Sequence, residues 1–328
     1  MDRITAITTN GEAKRIDQIL EETYANLTAP DKNYVFLDTG FTDYNNVVGG
    51  IEMCTNTIIG ARPGVGKTMI ALTLLFNMFR LNKEVKMIAI FWNWEMANEQ
   101  QMHRLFSQKV RKSTKSLKTD ELSEEEKRMM YELLMEHRDE NIFFIDVAAD
   151  VARISTTVKN VKNKYPNHSI VNIFDHTRLV KKEANSMKSE EARLFDLYAE
   201  ANNIKKLGCA NILLSQLNRE MEKEMIKSGV YRPPTTADLF GADAAQQFAD
   251  VTILLHRPEK YGVTEWDKPV EGDKKIKIKT KNRLWCEVGK NRNGPCDISF
   301  VLNYEPEINS ITNIEDSDQS LIFQNIKI

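Results

Sequence analysis

The chain has 328 residues, of which 45 are basic and 47 acidic, a formal charge of −2. That balance excludes a global attraction to DNA, RNA or an anionic membrane, so any nucleic-acid surface has to be local. A hydrophobic share of 41% beside 28% charged residues excludes a disordered chain, and apolar runs such as Met87 to Trp92 fall far short of the roughly 18 residues a transmembrane helix requires.

In chain order, Glu12 to Leu27 reads as an amphipathic helix, with Ile16, Ile19, Leu20 and Tyr24 on one face. Such a stripe has to be buried, either on its own domain or on a neighbour. From Tyr34 onward, apolar strand-like runs alternate with helical ones. Strands are expected at Thr57–Gly60, Lys86–Phe91, Asn141–Val147, Ser169–Phe174, Ala210–Leu214 and Asp250–Leu255. Helices are expected at Lys67–Leu81, Asn98–Arg111, Ser123–Arg138 and Glu190–Leu207. This alternation predicts an α/β fold with a mostly parallel sheet covered on both faces. Leu284–Gly289 and Asp297–Asn303 flank an Asn-Gly-Pro turn and read as an antiparallel hairpin. The stretch from Asn309 is polar and acidic and is expected to be a mobile tail.

No secretory signal is evident at the N-terminus, and Cys54, Cys209, Cys286 and Cys296 include no CxxC pair. Reduced thiols and a cytoplasmic location are expected. The five histidines show no metal-binding spacing.

The strongest local signal is Ala61-Arg62-Pro63-Gly64-Val65-Gly66-Lys67-Thr68, set between a strand and a helix. Gly64 and Gly66 let the backbone curl so that successive N–H groups point at a polyphosphate, and the following helix adds its positive end. Lys67 is placed to reach the β- and γ-phosphates, and the Thr68 hydroxyl to help hold Mg²⁺. Ala61 stands where the strict pattern has Gly. ATP and Mg²⁺ are the expected cofactors. Hydrolysis needs further groups. Asp175, at the end of a strand, is the natural carboxylate on the Mg²⁺ side, and Glu95 sits at the carboxyl edge of the sheet, where ligands of open α/β sheets bind. Asn172 is an oddity within an apolar strand and needs a hydrogen-bond partner if buried.

Several motifs together resemble the helicase domain of the DnaB-type replicative helicases, within the RecA-like ATPases. They are TGFTDYNNVVGGI (Thr39–Ile51), ARPGVGKT (Ala61–Thr68), NWEM (Asn93–Met96), FDHTRLV (Phe174–Val180), LSQLNRE (Leu214–Glu220) and GKNRNGP (Gly289–Pro295), in consistent order between about Gly11 and Tyr304. The resemblance implies that Glu95 polarises the attacking water, that Asp175 supports Mg²⁺ and that Gln216 senses the γ-phosphate. It also implies that Lys290 and Arg292 act on the ATP of the next subunit. Residues two apart on a strand leave the same face and can converge on one anion. A trans-acting cation requires a ring, and the family forms hexamers. The segment Glu12–Leu27 would then be a linker helix packed on an adjacent subunit.

On this resemblance the chain is an ATP-dependent helicase moving 5′ to 3′ along single-stranded DNA, in a bacterial cell or a virus-infected bacterial host. The expected division is an arm with linker helix over 1–30, a RecA-like ATPase domain over 31–308 and a tail over 309–328. The family's N-terminal collar domain finds no counterpart in the sequence, so a primase or loader is a partner only by family.

A second departure touches DNA. In ADLFGADAAQQFAD (Ala237–Asp250), Phe240 and Gly241 stand where the resembling segment has Arg-like and Glu-like positions. Gly241 and Ala242 offer backbone N–H groups to a phosphate, and Phe240 is either a base-stacking ring or part of the core. Lys181, Lys182 and Arg219 are candidate DNA cations, as are Lys188, Lys223 and Lys227. The basic run Lys274 to Arg283 reads first as a solvated face. The alternative function is an oligomeric RecA-like ATPase that remodels a partner complex without unwinding.

Overall fold

The computed structural model describes residues 15–28, 35–182, 187–270 and 274–314. The chain divides into two units, one up to Val35 and one from Phe36 onward. The first holds helix α1 (Ile16–Thr28), on which Ile16, Ile19, Leu20 and Tyr24 are exposed.

The second unit runs β1 (Phe36–Leu37), α2 (Thr42–Val48), β2 (Ile51–Glu52), β3 (Asn56–Ala61), α3 (Lys67–Leu81), β4 (Met87–Asn93) and α4 (Asn98–Val110). It continues through α5 (Thr114–Thr119), α6 (Glu124–His137), β5 (Ile142–Ile145), α7 (Val151–Lys164), β6 (Ser169–Asp175), α8 (Glu190–Lys205) and β7 (Cys209–Gln216). The last elements are α9 (Glu220–Ser228), α10 (Ala242–Phe248), β8 (Val251–His256), β9 (Glu265–Val270), β10 (Lys274–Lys279), β11 (Arg283–Asn291), β12 (Ile298–Glu305) and β13 (Ser310–Thr312).

Nine strands form one sheet in the order β13-β12-β11-β8-β3-β7-β6-β4-β5. The six strands from β8 to β5 are parallel, and β11, β12 and β13 add an antiparallel margin. Central strands covered on both faces read as unbroken apolar runs rather than alternating ones. Accordingly every residue of β3, β4 and β8 is buried. Trp92 on β4 stacks on Phe174 of β6 with 4° between the rings. The helices start where their sequences supply caps. The Ser123 hydroxyl and Glu126 carboxylate bond reciprocally to backbone N–H groups at the start of α6, Asp150 accepts from Arg153 N at α7, and Ser189 accepts from Ala192 N at α8.

The Asn172 amide NH₂ has its partner, while its Oδ1 is buried without one. Asn172, Asn211 and Asn56 lie in register on β6, β7 and β3. Asn172 Nδ2 donates to Asn211 Oδ1 at 3.0 Å, Asn211 Nδ2 donates to Asn56 Oδ1 at 2.8 Å, and Asn56 Nδ2 donates to the Phe248 carbonyl at 3.1 Å. A polar rung thus crosses three buried strands, level with the amino end of β3.

One expectation is corrected. Residues 310–314 are no tail: β13 pairs antiparallel with β12, Ile311 and Ile314 are buried, and Asn313 accepts from Thr42 N and donates to the Gly40 carbonyl. Two apolar side chains in a polar stretch suffice to close the sheet edge. The rest of the expected tail, and residues 1–14 of the arm, lie outside the described residues. The basic run forms β10, which pairs with β9 in a separate hairpin, and its Lys277 is exposed as a solvated face requires, with Nζ 3.7 Å from Glu265. No helix among the described residues is long and apolar enough to cross a membrane.

Candidate nucleotide site and its surroundings

The loop after β3 lines a cleft of about 160 Å³ at the carboxyl edge of the sheet, together with Glu95, Gln216 and Tyr304. Gly64 (φ +71°) and Gly66 (φ +125°) adopt backbone conformations that L side chains rarely reach, which lets the chain turn tightly into α3. A Cβ on Gly66 would also come within 3.3 Å of the Tyr304 ring. Pro63 and Gly64 border the cleft, whereas the Val65 side chain is buried and contributes only backbone. Arg62 lines the cleft too, but its guanidinium is committed to the Leu217 carbonyl and to Glu222 at 2.7 Å.

Thr68 Oγ1 donates to Asp175 Oδ2 at 2.8 Å, so the two residues predicted to serve the metal are in direct contact. The other oxygen, Asp175 Oδ1, is buried without a hydrogen-bond partner. A buried carboxylate oxygen left in this state fits a site for a hard cation that takes the rest of its ligands from water and phosphate. Burial pushes the Asp175 carboxyl up to about 6, against the Thr68 hydrogen bond and the Lys67 charge. Burial likewise pulls the Lys67 ammonium down to about 8, with Asp175 and Glu95 opposing. Both shifts record charged groups held out of water, ready for a counter-charge.

Glu95 stands on a turn fixed by Asn93. The Asn93 amide donates to the Met96 carbonyl and accepts from Gln101 at 3.0 Å, which pins the short segment between β4 and α4. The Glu95 side chain is half exposed at the cleft and lies 3.8 Å from His176 Nε2. Gln216 ends β7, and its Oε1 accepts from Arg178 Nη1 at 3.0 Å. Lys67, Thr68, Glu95, Asp175 and Gln216 therefore gather at one place, as the sequence reading required.

Lys290 and Arg292 lie elsewhere. The register of β11 on β8 sets Lys290 opposite Thr252 and Asn291 opposite Val251, and Val251 is level with Thr57 at the start of β3. The phosphate loop begins after Ala61, four residues or about 13 Å further along the strand. The pair thus occupies the amino edge of the sheet, opposite its own cleft.

The alternation argument for the pair is corrected. The register slips between Val288 and Lys290, the strand ends at Asn291, and Arg292 lies beyond it. The Lys290 ammonium donates to the Gln246 carbonyl, while Arg292 Nε lies 3.4 Å from Asp250, with just over half of its side chain exposed. Asp250 also holds Lys205 at 2.7 Å and accepts from Asn56 N at 2.8 Å.

The candidate DNA residues follow the carboxyl ends of β6 and β7, on the cleft side of the sheet. Lys181, Lys182 and Arg219 are exposed, and Gly241 and Ala242 are half-buried at the start of α10. Phe240 packs one side against the core cluster of β6, β7 and α8, and the Arg178 guanidinium sits 4.0 Å from its ring centroid. It is neither wholly core nor an open stacking platform.

Sequence reasoning missed Tyr304, Arg104 and Asn309, all on the cleft wall, and the Arg257 guanidinium 4.7 Å over the Tyr304 ring. Arg104 comes from α4, Tyr304 from β12, Arg257 from just after β8, and Asn309 from the first position of the expected tail. No local pattern marks them, because only the sheet order brings them to the loop.

The sequence profile described as the DnaB-like helicase C terminal domain matches residues 37–313. The replicative DNA helicase DnaB of Rickettsia typhi is 28% identical, over 90% of this chain and 61% of that protein. The replicative DNA helicase DnaC of Bacillus subtilis is 25% identical, over 93% of this chain and 64% of that protein. Among solved structures, the ATPase domain of G40P superposes with a TM-score of 0.75 at 24% identity, covering 93% of this chain and all of that one. The chain spans about three fifths of the length of the curated relatives it matches.

Proposed function

The chain belongs to the DnaB-like helicase C-terminal domain family, with the RecA-like fold of its structural neighbours, and from that premise we propose that it is a ring-forming, ATP-driven helicase domain that moves 5′ to 3′ on single-stranded DNA. The observation that carries the reading is the separation of the two halves of the ATPase machinery. One edge of the sheet holds a phosphate loop, a carboxylate and a sensor, and the opposite edge holds the exposed guanidinium of Arg292. An arginine about 13 Å along the strand from the start of its own phosphate loop serves hydrolysis only on a neighbouring subunit's nucleotide. Closed homo-oligomers supply that arrangement at every interface, and we read the ring as a hexamer.

In this reading the backbone N–H groups from Pro63 to Thr68, Pro63 having none of its own, cradle the β- and γ-phosphates of ATP, and Lys67 reaches them. Thr68 and Asp175 would hold Mg²⁺, which neutralises charge developing on the phosphoryl oxygens. Glu95 polarises the attacking water from its fixed turn, and Gln216 offers its amide to the γ-phosphate. Lys290 and Arg292 of one subunit stabilise the transition state in the next. Tyr304 and Arg257 form a flat wall beside Gly66 suited to a nucleobase. Lys181, Lys182 and Arg219 face DNA phosphates, with the N–H groups of Gly241 and Ala242. Helix α1, with its exposed apolar stripe, is the linker that packs on an adjacent subunit. Primase or a loader joins the ring by analogy with the family, in the cytoplasm of a bacterial or virus-infected host cell.

A strand-displacement assay on a fork with a 5′ single-stranded tail tests the reading. Unwinding that needs ATP and the 5′ tail is the expected result, and none at any protein concentration would overturn it. The covered face of Phe240 favours one alternative, an oligomeric ATPase that remodels a partner complex. Stimulation of ATP turnover by oligo-dT separates the two, because a translocase shows it and a partner-driven ATPase does not.

A further inference from the structure

Arg178 stands on the single turn Thr177–Leu179 that follows β6, and the mechanism above leaves it without a task. Its guanidinium nevertheless has three neighbours of different kinds. It donates through Nε to Glu190 at the start of α8, through Nη1 to Gln216 Oε1 at 3.0 Å, and its flat face lies 4.0 Å from the centroid of the Phe240 ring. Gln216 borders the nucleotide cleft, whereas Phe240 stands in the chain between Leu239 and Gly241, which border a second cleft with Asn218, Ala242 and Phe195. One charged group therefore contacts both a residue of the first cleft and the loop that borders the second.

The chemistry of each contact has a direction. A guanidinium carries only donors, so Gln216 meets it through its carbonyl oxygen. The amide NH₂ is then the end left toward the cleft, which is the right polarity for an anionic γ-phosphate. Backbone links run in parallel: Phe240 N donates to the Gln216 carbonyl at 2.8 Å, and Leu217 bridges Leu239. A shift of the Gln216 side chain toward a bound phosphate would therefore pull on the guanidinium and slide it across Phe240.

We propose that Arg178 is a positioning residue that sets the donor face of Gln216 and couples occupancy of the nucleotide cleft to the loop at 239–243. The proposal rests on the reading of Gln216 as γ-phosphate sensor and of the loop as DNA-facing. It also gives the aromatic residue at 240 a purpose, because a flat ring is a surface on which a guanidinium can slide while keeping its attraction.

The test compares the full chain with its Arg178→Met and Arg178→Lys variants. Turnover is measured with and without oligo-dT, and oligo-dT affinity with a nonhydrolysable ATP analogue and with ADP. The wild type is expected to be stimulated by oligo-dT and to bind it differently with the two nucleotides. Arg178→Met is expected to keep its KM for ATP, to lose about tenfold in stimulated kcat, and to bind oligo-dT equally with both nucleotides. Arg178→Lys restores a donor to Gln216 but not a flat face, so it recovers basal kcat without the nucleotide-dependent difference in affinity. If Arg178→Met does not fold, the Arg178→Lys result decides alone. Wild-type coupling in Arg178→Lys, or in a folded Arg178→Met, overturns the proposal. A wild type that neither binds oligo-dT nor is stimulated by it overturns the DNA reading first, and the proposal falls with it.

Discussion

The two ends of strand β3 solve opposite problems with similar residues. At its carboxyl end the chain leaves polar groups without protein partners: Asp175 Oδ1 is buried and unpaired, and Lys67 and Asp175 are both pulled toward neutrality by burial. At its amino end the Asn172, Asn211 and Asn56 side chains form a rung, and Asp250 is shared by Lys205, Asn56 N and Arg292. A buried polar group without a partner costs stability, and one fully paired specifies a unique packing. The carboxyl edge is thus a site waiting for charge, and the amino edge, where Asn172 Oδ1 alone of the rung is left unpaired, is a brace that holds an arginine outward. Because all strands from β8 to β5 run the same way, these two characters cannot mix within one chain.

The largest expected effect breaks the comparison at the amino edge. Arg292→Ala should lower kcat about 10³-fold or more while nucleotide binding persists, as for a trans-acting arginine. Mixing it with Lys67→Ala subunits should restore part of the turnover, since some interfaces then pair an intact cleft with an intact arginine. Two inert pools that stay inert on mixing would show self-contained sites. At the carboxyl edge, Glu95→Gln should lower kcat about 10²-fold or more with little change in KM, by steady-state kinetics.

Asp250→Ala sharpens the comparison through stability rather than chemistry. It leaves the largely buried Lys205 ammonium unpaired and should cost about 3 kcal/mol in urea unfolding, a loss the open cleft would not show for Glu95→Gln. Asp238→Asn is a smaller effect away from both edges. Burial pushes the Asp238 carboxyl up, but hydrogen bonds from Arg232 at 2.7 and 2.8 Å and from Thr235 outweigh it and hold it below its usual 3.8. A depressed carboxyl contributes stability that is present above its unfolded pKa and lost as pH falls through the folded one. The variant should therefore lose about 1 kcal/mol at pH 7, and the gap to wild type should close below pH 3.8 in melting experiments.

Local sequence carried much of the site. The turn at Gly64 and Gly66, Thr68 beside Asp175, and Glu95 after a buried strand were legible because each depends on residues close in the chain or on the rule that parallel strands deliver their carboxyl ends to one edge. The hairpin at Arg292 was legible as a hairpin, but its register slip was not, since that depends on how β11 meets β8 and on Gly289, where a Cβ would come within 2.7 Å of the Thr236 methyl. Phe240 was left between core and platform because its environment is completed by Arg178, 62 residues earlier in the chain.

By itself, then, the sequence determined the phosphate loop, the parallel α/β architecture and the family, all of which follow from spacing and hydrophobic period. Tertiary structure alone decided which distant side chains share a space: Tyr304 over Gly66, Asn309 on the cleft wall rather than in a tail, Asp250 under Arg292, and Arg178 between Gln216 and Phe240. The physical reason is that local preferences act over a few residues, whereas these contacts are set by strand order, which brings together groups as far apart in the chain as Arg62 and Asn309.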